Sequence, residues 1–148
     1  MADTIFVLNG PNLNLLGTRE PEIYGSRTLE DIRAMLKRRG RELGITIDLR
    51  QTNHEGTLID WLHEAHSTKA KAVLMNAGGY THTSIALHDA IRAVHVPVVE
   101  VHLSDPETRE AFRHHSYVGE TAIACFKGKG AQSYLDALEY AARLAPAT

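Results

Sequence analysis

Four apolar residues in a row, Ile5-Phe6-Val7-Leu8, run straight into Asn9-Gly10-Pro11-Asn12. The run fits a buried strand, and it has to end there: Pro11 removes a backbone donor, and Asn-Gly favours a turn. A polar loop follows, carrying Arg19 and Tyr24. A buried strand therefore delivers amide side chains, a guanidinium and a phenol to one edge of a sheet. In open α/β sheets that edge is where ligands bind. The combination reads as a prepared site for an anionic molecule.

The rest of the chain repeats the alternation of strand and helix. Strands are expected at Thr4–Leu8, Ile45–Arg50, Ala72–Met75, Val96–Val101 and Thr121–Phe126. Ile45–Arg50 alternates apolar with polar, as an edge-like strand does, whereas Ala72–Met75 is continuously apolar, as a strand covered on both faces is. A helix starts at the cap Thr28 and stops at Gly44, with Leu29, Ile32, Met35, Leu36 and Leu43 as its stripe. Further helices are expected around Leu58–Ala65, over Ser84–Val94 with Ile85, Leu87, Ile91 and Val94 in the core, over Glu107–Arg113, and over Gln132–Leu144. Five strands alternating with helices imply a parallel sheet with right-handed crossovers. A flavodoxin-like three-layer sandwich, strand order 2-1-3-4-5, is the most economical arrangement, and residues 1–148 read as a single domain of this kind.

Composition narrows the function. With 148 residues the chain is about one domain long and an eight-fold barrel is out of reach. A net charge of -2 and the absence of a basic stripe argue against nucleic-acid binding. The N-terminal apolar run is too short for a signal peptide or a membrane span, so the cytoplasm is the expected location. The one cysteine, Cys125, excludes an internal disulfide and reads as a buried, inert thiol within Ala122–Phe126.

Every strand of a parallel sheet ends on the same side. Strand 1 brings Asn9 and Asn12, strand 2 Asn53, His54 and Glu55, and strand 3 the segment Asn76–Ser84. Strand 4 brings Glu100, His102, Ser104 and Asp105, followed by Arg109 and Arg113. Gly78-Gly79 leading into Thr83-Ser84 offers backbone N–H groups at a helix start, suited to a carboxylate or phosphate, or forms an ordinary capped turn. Glu100 and His102, two apart on a strand, point to one face; they either form a structural ion pair at the strand end, or the carboxylate fixes the imidazole's tautomer and favours its protonated, acidic form. Arg109 and Arg113, four apart on an expected helix, either clamp a carboxylate or sit in solvent. His63-Glu64-Ala65-His66 misses the H-E-x-x-H spacing and His114-His115 are adjacent, so no metal site is expected.

Three blocks carry a resemblance: L-N-G-P-N-L-N-L-L-G-T-R-E-P-E-I-Y-G from Leu8, N-A-G-G-Y-T-H-T-S-I-A-L-H-D-A from Asn76, and E-V-H-L-S-D-P-E-T-R-E-A-F-R-H-H-S from Glu100. They resemble the type II 3-dehydroquinate dehydratases of the shikimate and quinate pathways, in register over nearly the whole chain. The resemblance implies dehydration of 3-dehydroquinate to 3-dehydroshikimate, no metal or organic cofactor, and trimers assembled into a dodecamer. Tyr24 matches the base that takes a proton from C2, and Arg19 the arginine that activates it. Asn12 matches the amide holding a water at the enolate oxygen, and His102 the acid that protonates the departing C1 hydroxyl, with Glu100 orienting it. Asn76, His82, Leu103, Ser104 and Arg113 match substrate contacts, with Arg109 a supporting cation. Asp89 resembles a residue reaching a neighbouring subunit's site.

Two departures stand out. Asp105 takes the place of a common Asn, adding a negative charge that weakens carboxylate binding unless it is paired or turned outward. The loop Lys127-Gly128-Lys129-Gly130 is more basic than the pattern requires. The main rival function is an FMN-binding module on the same sheet, but it needs a Ser/Thr-rich phosphate loop where this chain has Asn-Gly-Pro-Asn. A phosphoacceptor domain needs an acidic pair after strand 1, whereas Asp3 precedes it.

Overall fold

The computed structural model describes residues 3–18, 20–24 and 26–145, with the backbone alone at Pro21 and Tyr24. Strands β1 (Asp3–Asn9), β2 (Ile45–Gln51), β3 (Ala72–Asn76), β4 (Val98–Val101) and β5 (Ala124–Phe126) form one sheet. All pairings are parallel and the order is β2-β1-β3-β4-β5, as the alternation of elements predicts. The helices are α1 (Pro21–Tyr24), α2 (Leu29–Leu43), α3 (Glu55–Ser67), α4 (Ile85–Ala93) and α5 (Gln132–Ala142).

The period-2 alternation of the strands divides the core in two. Ile5, Val7, Ala72, Leu74, Val99 and Val101 pack with Ile32 and Leu36 of α2 and Leu138 of α5. Phe6, Leu8, Val73, Met75 and Val98 pack on the other face with Leu58 and Leu62 of α3 and Leu87 and Ile91 of α4. β2 lies at the sheet's edge, and its outward face carries Asp48 and Arg50, whose guanidinium also reaches Glu64 at 2.6 Å.

Local chemistry sets the boundaries. Thr28 and Asp31 form a reciprocal capping box at 3.0 Å in each direction, and Gly44, at φ 71°, closes α2. Gly10 is the one residue that fits between the first and third strand ends: a Cβ there would meet Ala77 O at 2.3 Å. At the opposite edge of the sheet, buried Lys71 donates to Leu144 O at 2.8 Å and lies 3.6 Å from Asp3.

Several expectations are corrected. Glu107–Arg113 is not a helix but two 3-10 turns, Pro106–Thr108 and Ala111–Arg113. Asp105 caps the first through Glu107 N, and Thr108 Oγ1 turns back to Asp105 O, so local side-chain bonds compete with the helical ladder. β5 begins at Ala124 because a turn, closed by Ala122 N to Val118 O at 2.9 Å, occupies the preceding residues. β4 begins after Pro97, which has no N–H to give the ladder. Ile85 is exposed, since it opens α4 on the side away from the sheet's core. Cys125 is exposed too, because β5 is an edge strand. Desolvation and the nearby Glu100 carboxylate push its thiol up to about 12, away from the thiolate form.

Candidate active site

The C-terminal ends of β1, β3 and β4 meet around a cavity of about 160 Å³, room for one small molecule. Asn12 reaches it from the first strand's loop. That residue adopts a left-handed conformation, φ 69°, and its N–H is held by Asn53 Oδ1 at 3.1 Å. Gln51 Nε2 ties the same loop down by donating to Gly10 O and to Asn53 Oδ1, each at 3.1 Å. Sequence alone brings Asn53 to this edge, and the structure makes it a brace.

The third strand supplies Asn76, Gly78, Gly79 and His82. Gly78–His82 forms a 3-10 turn, and Ser84 then caps α4 by accepting from Leu87 N at 2.9 Å. His82 Nδ1 donates to His115 O at 2.8 Å, which leaves Nε2 as the ring's acceptor. Burial holds the His82 imidazole below its ordinary value, and the neighbouring His102 and Arg113 push the same way. The ring is therefore neutral at pH 7.

The fourth strand supplies a carboxylate–imidazole pair. Alternation that sends Val98 into the core sends Glu100 and His102 to the same face, where both are buried. His102 Nε2 donates to Glu100 Oε2 at 2.7 Å. Ser116 Oγ donates to that same oxygen at 2.5 Å. Burial alone would raise the Glu100 carboxyl. The hydrogen bond and charge of His102, with the Ser116 hydroxyl and the Cys125 thiol, outweigh it and hold Glu100 below the usual carboxylate range. With Nε2 engaged, His102 has Nδ1 left for chemistry in the cavity it lines.

Leu103, Ser104, Arg109 and Arg113 complete the wall. Arg109 Nη1 donates to Ser104 Oγ at 3.4 Å, and Glu110 engages Arg113 through Nε. The two arginines do not share a helix face as the spacing suggests, yet both 3-10 turns deliver them to the cavity. Asp105 is paired: Lys127 Nζ lies 3.6 Å away and also donates to Glu107 at 3.1 Å. The acidic departure and the basic loop are thus each other's partners.

Of the expected site residues, the fold brings Asn12, Asn76, His82, His102, Leu103, Ser104, Arg109 and Arg113 to one cavity, with Glu100 directly behind His102. Asp89 is not among them; it lies on α4 with an exposed side chain bonded to His88. Arg19 and the side chain of Tyr24 lie outside the described residues. Sequence reasoning missed Ser116, which donates to Glu100. Ser116 is the last residue of the third quoted block, immediately after the His114-His115 pair that drew attention instead. Among the described residues no group of three or more His, Cys, Asp or Glu is arranged to hold a metal ion.

Comparison with known proteins decides the family. The model of the class II dehydroquinases matches residues 3–142. The chain belongs to the class II dehydroquinases. It is 60% identical to the 3-dehydroquinate dehydratase of Rhizobium johnstonii, over 93% of this chain and 94% of that protein. It is 55% identical to 3-dehydroquinate dehydratase 1 of Bradyrhizobium diazoefficiens, over 93% and 88% respectively. Among solved structures, the type II dehydroquinase of Butyrivibrio crossotus superposes with a TM-score of 0.92 at 37% identity, covering 95% of this chain and 97% of that one. That of Propionibacterium acnes gives 0.91 at 42% identity, covering 96% and 97%. The parallel sheet of this chain, with its order β2-β1-β3-β4-β5, is therefore that of a dehydroquinase fold. No helix among the described residues is long and apolar enough to cross a membrane.

Proposed function

We propose that this class II dehydroquinase converts 3-dehydroquinate to 3-dehydroshikimate by acid–base elimination, with Tyr24 as base and His102 as acid. The reaction follows from the family and from relatives named 3-dehydroquinate dehydratase at 55% and 60% identity. The assignment of roles is the proposal. The observation that carries it is the Glu100–His102 pair, an imidazole fixed against an ionised, buried carboxylate with one ring nitrogen left for the cavity.

Tyr24 removes the C2 proton and the electron pair moves onto the C3 carbonyl oxygen, giving an enolate. Asn12 holds a water at that oxygen. The pair then returns to form the C1–C2 double bond, and the C1 hydroxyl leaves as water with a proton from His102. A free phenol has pKa near 10, so using its anion at neutrality costs about 4 kcal/mol. The Arg19 guanidinium beside it offsets much of this in a closed, poorly solvated site. Asn76, His82, Leu103, Ser104 and Arg113 bind the substrate, and Arg109 supports its carboxylate. Orientation by Glu100 keeps the His102 proton aimed at the leaving oxygen.

The same reading gives a cytoplasmic homo-oligomer, trimers assembled into a dodecamer, in which Asp89 reaches a neighbouring subunit's site. Light scattering on the purified protein tests the assembly.

The test of the chemistry is to add 3-dehydroquinate and follow the near-ultraviolet absorbance of the conjugated enone. Turnover is expected, and borohydride with substrate leaves it intact because no lysine imine forms. Tyr24→Phe is expected to abolish most turnover with binding largely kept; normal turnover would remove the base. His102→Ala is expected to slow loss of water more than proton exchange at C2, and equal losses would count against its role as acid.

A further inference from the structure

Asn9 and Asn76 end adjacent strands and face each other in register, both buried. Between them stands the phenol of Tyr134, which comes from α5 and is fully buried. The hydrogen bonds through this group run in one direction. Asn9 Nδ2 donates to Val7 O at 3.3 Å and to Arg50 O at 3.0 Å. Carbonyls only accept, so the oxygen of Asn9 is the atom turned to Tyr134, and the Tyr134 hydroxyl donates to it at 2.6 Å. A phenol has one proton. With that proton spent, Tyr134 Oη only accepts from Asn76, whose Nδ2 donates at 3.0 Å. Asn76 Oδ1 in turn accepts from Gly78 N at 3.2 Å. Reversing any link would set donor against donor or acceptor against acceptor in a buried place.

Asn76 carries two Nδ2 protons, and this chain of bonds uses one. The residue also lines the cavity beside His102. We propose that Tyr134 is a positioning residue, holding the Asn76 amide so that its second Nδ2–H is presented to an oxygen of the substrate. The proposal rests on the reading of Asn76 as a substrate contact. Polarity imposed by backbone carbonyls of β1 and β2 is thereby passed through a helix residue to the cavity wall. Without the hydroxyl, the amide keeps Gly78 as its anchor and loses the group that holds its other end.

The test is a kinetic cycle on the full-length protein with 3-dehydroquinate. Tyr134→Phe is expected to raise KM about tenfold, the equivalent of one hydrogen bond, with kcat changed much less. In an Asn76→Ala background the same substitution is expected to add little, because the contact it serves is gone. Leu138→Ala, a core truncation on the same helix, serves as the stability control: it is expected to lower Tm with KM unchanged. Should Tyr134→Phe not accumulate as folded protein, Asn9→Ala removes the acceptor that orients the same hydroxyl and is expected to raise KM likewise. An unchanged KM in Tyr134→Phe, or the same KM penalty with and without Asn76, overturns the proposal. An unchanged KM in Asn76→Ala alone instead overturns the assignment of Asn76 as a substrate contact.

Discussion

Ser116 Oγ lies 2.5 Å from Glu100 Oε2, so a hydroxyl contributed from beyond the 3-10 turns holds the buried carboxylate that holds His102. The carboxylate is thereby shared between an imidazole and a hydroxyl anchor. Three consequences of this and neighbouring contacts can be measured.

Ser116→Ala removes a hydrogen bond to a charged group, worth about 1.5–3 kcal/mol. Because Glu100 is held below 4.5 in the fold, its contribution to stability is fully present above that pH and is lost as the pH falls through the lowered value. Taking away one of the groups that lowers it moves that loss to higher pH. Urea unfolding between pH 3 and 6 is expected to show the acid limb of Ser116→Ala displaced upward, with a fall in kcat at neutrality. Superimposable pH profiles would show that the hydroxyl does not support the carboxylate.

Asp105→Asn tests the pairing with the basic loop. The amide keeps the oxygen that caps Glu107 N but drops the charge facing Lys127. Both side chains are half-exposed, so stability is expected to change by less than about 1 kcal/mol. Lys127→Ala leaves Asp105 without this cation beside Ser104, and KM for the anionic substrate is expected to rise about two- to threefold, a rise that Asp105→Asn then cancels. Equal KM values in all three variants would make the loop electrostatically silent.

His82 is neutral at pH 7 because burial depresses it below 6.5. The unfolded chain therefore takes up its proton first on acidification. Stability from this group is complete above 6.5 and declines as the pH falls through the lowered value. Going from pH 7.5 to 5.5, the wild type is expected to lose more stability than His82→Gln, read as the shift in urea midpoint. Identical shifts would show that His82 titrates normally in the fold.

Much of this was legible in the sequence because a parallel sheet turns strand ends into an address. Once Ile5–Leu8, Ala72–Met75 and the run through Val101 read as strands, Asn12, Asn76 and His102 had to share an edge. Alternation along β4 was enough to pair Glu100 with His102. Other parts depend on contacts that no local pattern encodes. Tyr134 lies in a segment that reads only as a closing helix; its hydroxyl matters because the fold sets it between two amides far away in the chain. The segment after Asp105 has helical spacing, yet Asp105 and Thr108 satisfy each other locally and break it into turns. Asp105 and Lys127 looked like separate oddities, and only the approach of the loop following β5 made them partners.

Lys71 joins Asp3 and Leu144 beneath the sheet, on the side remote from the cavity. One ammonium group thus spans the first described strand residue and the carbonyl that follows the last helix. Fluorophores or surface tethers attached at either residue would therefore sit at the end of the sheet opposite the cavity and leave its mouth clear.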